Sequence, residues 1–520
     1  MKLAFRFCDI CSVLGAFFFS VQTALADVKL PSLISDHMVL QQAQRNLIWG
    51  WDTPGTQIIV TFAGRSYSTT AGVDGKWSVT LASLAANAIP QTLTVIGSTK
   101  REVEDVLVGE VWICSGQSNM QMGIGQVKDG AQAIAAANFP NIRLLMVPNL
   151  SNREPQPDQA GKWNVCTPEN IAQGGWNGFS AAGYFFGREL YRKLNVPVGL
   201  IDATWGGTPI QPWMSLEALK AYPGYAALLE HRKLEVAAWP AREKQLEADI
   251  KAWEIIAAKA EALHQAVPPK PWNPGPPDSG QYMPAQLYNA MIHPLTNFRI
   301  RGALWYQGEA NAGEGLPGAE DYTDLQSRMI ADWRRDWGQS DFPFLFVQLP
   351  NWKNGDDGSH MSWAYFREGQ ANVLKVPNTG MAVTIDIGDP EDIHPKNKQE
   401  VGRRLALLAL KNVYHQSVIC QGPQYWKKDK PNGSELKIYF HHTDGGLITR
   451  GGELRGFEIA GADLKWQPAD ARIAGDAILV NSREVPQPVA VRYDWANNPD
   501  GNLYNGAGLP AMPFRTDDWF

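Results

Sequence analysis

Cysteine is scarce in this chain, with five in 520 residues. Two of them, Cys8 and Cys11, fall in the first 26 residues. Cys114, Cys166 and Cys420 leave room for one disulfide at most and an odd thiol, which excludes a disulfide-stapled scaffold. No two cysteines have zinc-ligand spacing and the nine histidines are scattered, so no metal site is expected. The adjacent pair His441-His442 sits on a strand-like run, which turns its rings to opposite faces. Basic runs are missing as well, and the formal net charge is -6. Nucleic acid is therefore not an expected partner. Beyond residue 26 no apolar run is long enough to span a bilayer.

What is present is an ordinary globular composition, 44% hydrophobic and 19% charged, in a chain long enough for a large core and more than one domain. Twenty tryptophans and fifteen tyrosines are many for this length. They serve core packing, or they offer surface rings on which sugars stack. The first 26 residues read as a removable leader. Lys2 and Arg6 give a positive start, Val13 to Val21 is a short apolar core, and Ala24-Leu25-Ala26 is a small-x-small cleavage site. The mature chain is expected to begin at Asp27 and to be exported, to a periplasm or out of the cell, with no membrane span.

Residues 27–105 alternate short β-rich runs with turns, among them Leu47 to Trp51, Gln57 to Phe62, Lys76 to Leu81 and Gln91 to Ile96. This predicts a small β-rich module. Residues 106–415 change character. Strand-like runs at Val111–Cys114, Ile142–Met146, Val198–Ala203, Gly302–Tyr306, Phe344–Leu349 and Met381–Ile385 alternate with helix-like ones, most clearly Ala181–Leu194 and Lys398–Leu410. Such alternation predicts a mostly parallel sheet with helices on both faces and working loops at the strand C-terminal ends. A helical, Pro-rich insertion at about 215–280 interrupts it: Leu216 to Val267 favours helix, and the following prolines form an extended linker. It is placed to overhang the site. Residues 416–520 read as a second β-rich module, with strands at Glu435 to His441 and Ala477 to Val480.

Four strand-end loops carry chemistry. Val111–Cys114 breaks at Ser115-Gly116 and delivers Ser118, a candidate nucleophile whose own N–H points toward a developing oxyanion. Val198–Ala203 ends in Thr204-Trp205-Gly206-Gly207-Thr208, whose glycines offer unhindered N–H donors. Gly302–Tyr306 ends in Gln307-Gly308-Glu309, an amide donor and an acid that orients neighbours or binds substrate. The loop Glu391-Asp392-Ile393-His394 supplies a histidine with carboxylates beside it, suited to take the Ser118 proton. Read singly, each residue is an ordinary loop side chain; the set in order is not.

That set resembles the sialate O-acetylesterase family of the SGNH-hydrolase superfamily. The resemblance runs from about Leu30 to the C-terminus. Gly116-Gln117-Ser118-Asn119-Met120 matches the nucleophile block, Gly206-Gly207-Thr208 the glycine block, Trp305-Tyr306-Gln307-Gly308-Glu309 the amide block and Asp392-Ile393-His394-Pro395 the histidine block. It implies an α/β, flavodoxin-like three-layer domain flanked by β-rich modules. It also implies a reaction without metal or cofactor that removes acetyl groups from sugars. Ser118, His394 and Asp392 are then catalytic, the Ser118 and Gly207 N–H groups and the Gln307 amide form the oxyanion hole, and Glu309 and Asn119 contact substrate. The superfamily places Asp three residues before the histidine; here that position is Glu391, and Asp392 is favoured over it. An acetylxylan or other plant-polysaccharide acetylesterase is the rival within the same chemistry. A non-catalytic carbohydrate-binding protein is the rival of another class, and the intact Ser118, Gln307 and His394 argue against it. The expected partner is an acetylated sugar or oligosaccharide; the sequence assigns no oligomeric state.

Overall fold

One strand organises the molecule. β1 (Lys100–Gly116) is 17 residues long, and its two halves have different surroundings. At its start Val103 is buried between exposed neighbours, and it pairs with the N-terminal strand Asn87–Ile96. From Leu107 onward every residue is buried, as expected for a strand covered on both faces. The computed structural model describes residues 27–312, 315–353, 361–429 and 433–519. The expected leader at 1–26 lies outside the described residues.

The second half of β1 is the centre of a larger sheet. The other members are β2 (Phe139–Met146), β3 (Trp163–Cys166), β4 (Val198–Thr204), β5 (Gly302–Tyr306), β6 (Phe344–Val347) and β7 (Thr379–Ala382). Their order is β7-β6-β5-β1-β4-β2-β3. All pairs are parallel except β2 with β3. The chain thus builds one side of β1 through β4, then crosses to build the other. The order reverses at the C-terminal end of β1, the usual place for a ligand in such sheets.

Helices cover both faces, as side-chain parity shows. An added Cβ on Gly183 of α1 (Ala181–Leu194) would lie 2.7 Å from the Cys114 sulfur. α1 also packs on α5 (Lys398–Asn412). Trp305 pairs in register with Ser115, the residue after Cys114, so it points the other way. It packs on Trp333 of α3 (Gly315–Asp336), which itself lies along α4 (Ser362–Asn372). The antiparallel edge strand β3 and helices α3 and α4 are absent from the sequence reading. The insertion is α2 (Tyr225–Ala262), 38 residues with Pro240 inside and only Trp239, Ala257 and Ala260 buried. Leu234, Ile255 and Ile256 stay exposed on it.

The N-terminal strands and this sheet share one hydrophobic core, whereas strands after residue 423 have their own, built on Leu436, Ile438, Ile459, Ile478 and Val491. The expected 105/106 boundary falls inside β1, so the backbone pairing runs unbroken from one side to the other. Arg367 of α4 ties in the C-terminal part by donating to the Ala496 and Asn497 carbonyls. Cys114, Cys166 and Cys420 are free thiols. Among the described residues no helix is long and apolar enough to cross a membrane.

Candidate active site

The end of β1 sets the geometry. Gly116 has φ +135°, and a Cβ there would lie 2.1 Å from the Tyr306 carbonyl oxygen. Only glycine lets β1 and β5 pass this closely while the chain turns. The turn opens a one-turn helix at Ser118. Ser118 is half-buried, and its Oγ lies 2.9 Å from His394 Nε2. That contact joins residues 276 apart in sequence. It places a hydroxyl and a base at proton-transfer distance.

Around His394, Asp392 and Glu391 part company. The Asp392 carboxylate accepts the His394 backbone N–H at 2.9 Å and lies 3.7 Å from ring Nδ1. The second distance is a charge contact rather than a hydrogen bond. Glu391 turns out to solvent and pairs with Lys353. Trp176 closes another side of the imidazole, edge to face at 5.1 Å. Burial holds the His394 pKa below its ordinary value; Asp392 opposes this and Lys398 adds to it. A lowered pKa keeps the ring neutral and basic near neutral pH.

The glycine loop after β4 lies against the nucleophile. A Cβ on Gly206 would meet the Ser118 Cβ at 3.4 Å. The Gly206 N–H is used by Gln121 Oε1 at 2.8 Å. Gly207, at φ +74°, and Ser118 have backbone N–H groups without a hydrogen-bond partner among the described residues.

Two of the expected site residues are buried among protein partners. Gln307 is fully buried. Its Nε2 faces Asn311 Oδ1 at 2.8 Å, Gln117 Oε1 at 3.1 Å and the Thr208 carbonyl at 3.2 Å, and its Oε1 accepts from the Tyr322 hydroxyl at 2.7 Å. Three protein acceptors compete for its two amide hydrogens, which ties together the loops that carry Gln117, Thr208 and Asn311. Asn119, expected to contact substrate, is wholly buried. Its amide donates to Glu309 and to the Ile393 carbonyl, and its Oδ1 accepts from Lys398 Nζ. It therefore holds the histidine loop. Glu309 spends Oε1 on Asn119, while Oε2 is buried and unpartnered. It also lines a cavity of about 510 Å3 with Asn311, Arg232 and Tyr322.

Lys398 is the residue that sequence reasoning missed. It begins α5 four positions after His394 and is completely buried. Its ammonium sits 5.1 Å from the Tyr306 ring centroid. Burial pushes its pKa down to about 7, against the attraction of Glu309 and Asp392. Burial likewise raises Glu309. The only signal in the sequence was a lysine at a helix start, which normally reads as surface. Among the described residues no group of three or more His, Cys, Asp or Glu side chains gathers as a metal site would.

Ser118 and His394 meet at the switch point of an α/β sheet, and comparison with known proteins gives the family. The family model described as a carbohydrate esterase, sialic acid-specific acetylesterase, matches residues 108–245 and 269–411. The sialate O-acetylesterase of Rattus norvegicus is 31% identical over 94% of each chain. That of Homo sapiens is 30% identical over 94% of this chain and 92% of its own. A solved carbohydrate acetylesterase from Xanthomonas citri superposes with TM-score 0.80 at 38% identity, covering 95% of this chain and 100% of its own. The chain belongs to this carbohydrate esterase family, and it is a carboxylic ester hydrolase.

Proposed function

We propose that this enzyme removes O-acetyl groups from sugars, with O-acetylated sialic acid as its substrate, through an acyl-enzyme on Ser118. The observation that carries the reading is the 2.9 Å contact between Ser118 Oγ and His394 Nε2. Ser118 attacks the ester carbonyl as His394 takes its proton. Asp392 stabilises the imidazolium so formed through charge. The Ser118 and Gly207 N–H groups receive the oxyanion. His394 returns the proton to the departing sugar hydroxyl, then activates water to release acetate. Gln307 and Asn119 act by holding the loops that carry these groups.

The succession of Ser118, Gly207, Gln307 and His394 along the chain supports placing this domain with the flavodoxin-like SGNH hydrolases. The leader-like residues 1–26 support export with a mature start at Asp27, which N-terminal sequencing of the secreted protein checks. The Xanthomonas citri enzyme, a carbohydrate acetylesterase at 38% identity, favours a second reading in which another acetylated carbohydrate is preferred. Acetate release from O-acetylated sialic acid and from acetylated xylan oligomers separates the two. Ser118→Ala tests the chemistry itself: turnover falls by on the order of 10⁴ or more with folding retained. Near wild-type turnover in a pure sample refutes the assignment.

A further inference from the structure

The Pro-rich return of the insertion passes over the glycine loop and leaves a large ring there. Trp272 is 67% exposed. Its Cζ2 and Cη2 lie 3.2 and 3.7 Å from where a Gly207 Cβ would stand. One edge of the indole is thus seated on Gly207, and most of the ring is bare. Leaving so much apolar surface in water forgoes the gain of burying it.

The segment that carries this ring is anchored. Trp253 Nε1 of α2 donates to the Pro268 carbonyl at 2.8 Å. The Tyr282 hydroxyl donates to the Pro274 carbonyl at 2.7 Å. Pro269 and Pro271 restrict the backbone between these ties. The indole is therefore held at the site before any ligand arrives, and binding to it costs little ordering.

We propose that Trp272 is the sugar-binding platform of the site: its open face stacks on the C–H face of the ring that bears the acetyl ester. The proposal rests on the esterase reading above. With the ester carbonyl oxygen at the Ser118 and Gly207 N–H groups, the alcohol side must leave past Gly207, and Trp272 stands at Gly207. A pyranose presents C–H bonds on its faces and hydroxyls at its rim, so an aromatic face is its complement. The insertion thereby contributes to which esters are hydrolysed, while β1, β4 and the His394 loop contribute the chemistry.

The test compares two substrates on Trp272→Ala and Trp272→Phe. One is whichever acetylated sugar the wild type hydrolyses fastest; the other is ethyl acetate, which has no ring to stack. The expected result for Trp272→Ala is a KM for the sugar ester raised roughly tenfold, with kcat little changed. Ethyl acetate hydrolysis should stay within about twofold of wild type, and Trp272→Phe should recover most of the sugar activity. An unchanged KM for the sugar ester overturns the proposal. An equal loss on both esters also overturns it, because Trp272 then merely shapes the Gly207 loop. Failure of the esterase reading shows separately, as equal activity of wild type and Ser118→Ala.

Discussion

Asp392→Asn removes one charge beside His394 and little else. An asparagine oxygen still accepts the His394 N–H that Asp392 accepts at 2.9 Å, so the loop keeps its shape. What is lost is attraction between the carboxylate and an imidazolium 3.7 Å away. At such a separation two unit charges attract by about 1 kcal/mol in bulk water and about 4 kcal/mol near a protein surface. The Asp392 side chain is 42% exposed, which discounts the larger value toward about 2 kcal/mol. That corresponds to a fall in kcat on the order of 30-fold. It is smaller than the loss from a triad acid hydrogen-bonded to the ring, because 3.7 Å is beyond hydrogen-bond range. The pH profile adds a second readout. Asp392 raises the His394 pKa, so its removal lowers that pKa further. The neutral base then persists to lower pH, and the acid limb of kcat/KM moves down while the plateau falls. Steady-state acetate release across the acid and neutral range measures both. Glu391→Gln, which loses only an exposed pair with Lys353, serves as the control and should be mild. A severe Glu391→Gln beside a mild Asp392→Asn with an unmoved acid limb would refute the reasoning.

Lys398→Met moves the same limb the other way, because the buried ammonium lowers the His394 pKa. It is made together with Glu309→Gln so that no carboxylate is left buried and unpaired; a limb that stays put in the pH–rate profile removes Lys398 from the account. Gln307→Ala should lower kcat and the melting temperature together, since its amide joins Gln117, Thr208, Asn311 and Tyr322. A loss of turnover of roughly 10²–10³ with an unchanged melting temperature would instead restore it as an oxyanion donor. Buried Asp202, bonded to Ser180 N–H and Thr204 Oγ1, has its pKa raised by burial from 3.8 to about 7. Its folded pKa exceeds its unfolded one, so its ionisation costs stability increasingly as pH rises between those values. Asp202→Asn should therefore raise the melting temperature above pH 7 and leave it unchanged below about pH 4.

Much was legible in the sequence because it is locally determined. The helix Ala181–Leu194 runs over the residues its apolar spacing marks. Strands Val198–Thr204 and Gly302–Tyr306 lie where continuous apolar runs end in polar loops. A run buried on both faces has to stop where its backbone meets solvent, and its terminal loop has to carry polar residues. That is why Ser118, Gly207, Gln307 and His394 could be picked out as members of one site. Tertiary structure decided the surroundings of each member. Whether an amide is free or spent depends on acceptors 99 and 190 positions away, as the Gln307 bonds to Thr208 and Gln117 show. Asn119 reads as a substrate contact and Lys398 as a helix-start lysine, yet they are buried as partners across 279 positions. The short edge strand Trp163–Cys166 takes its place from pairing with β2. Only the course of the Pro-rich return brings Trp272 to Gly207. Local pattern fixes which backbone groups are satisfied within an element, whereas the state of a side-chain donor or a buried charge depends on neighbours that only the folded chain supplies.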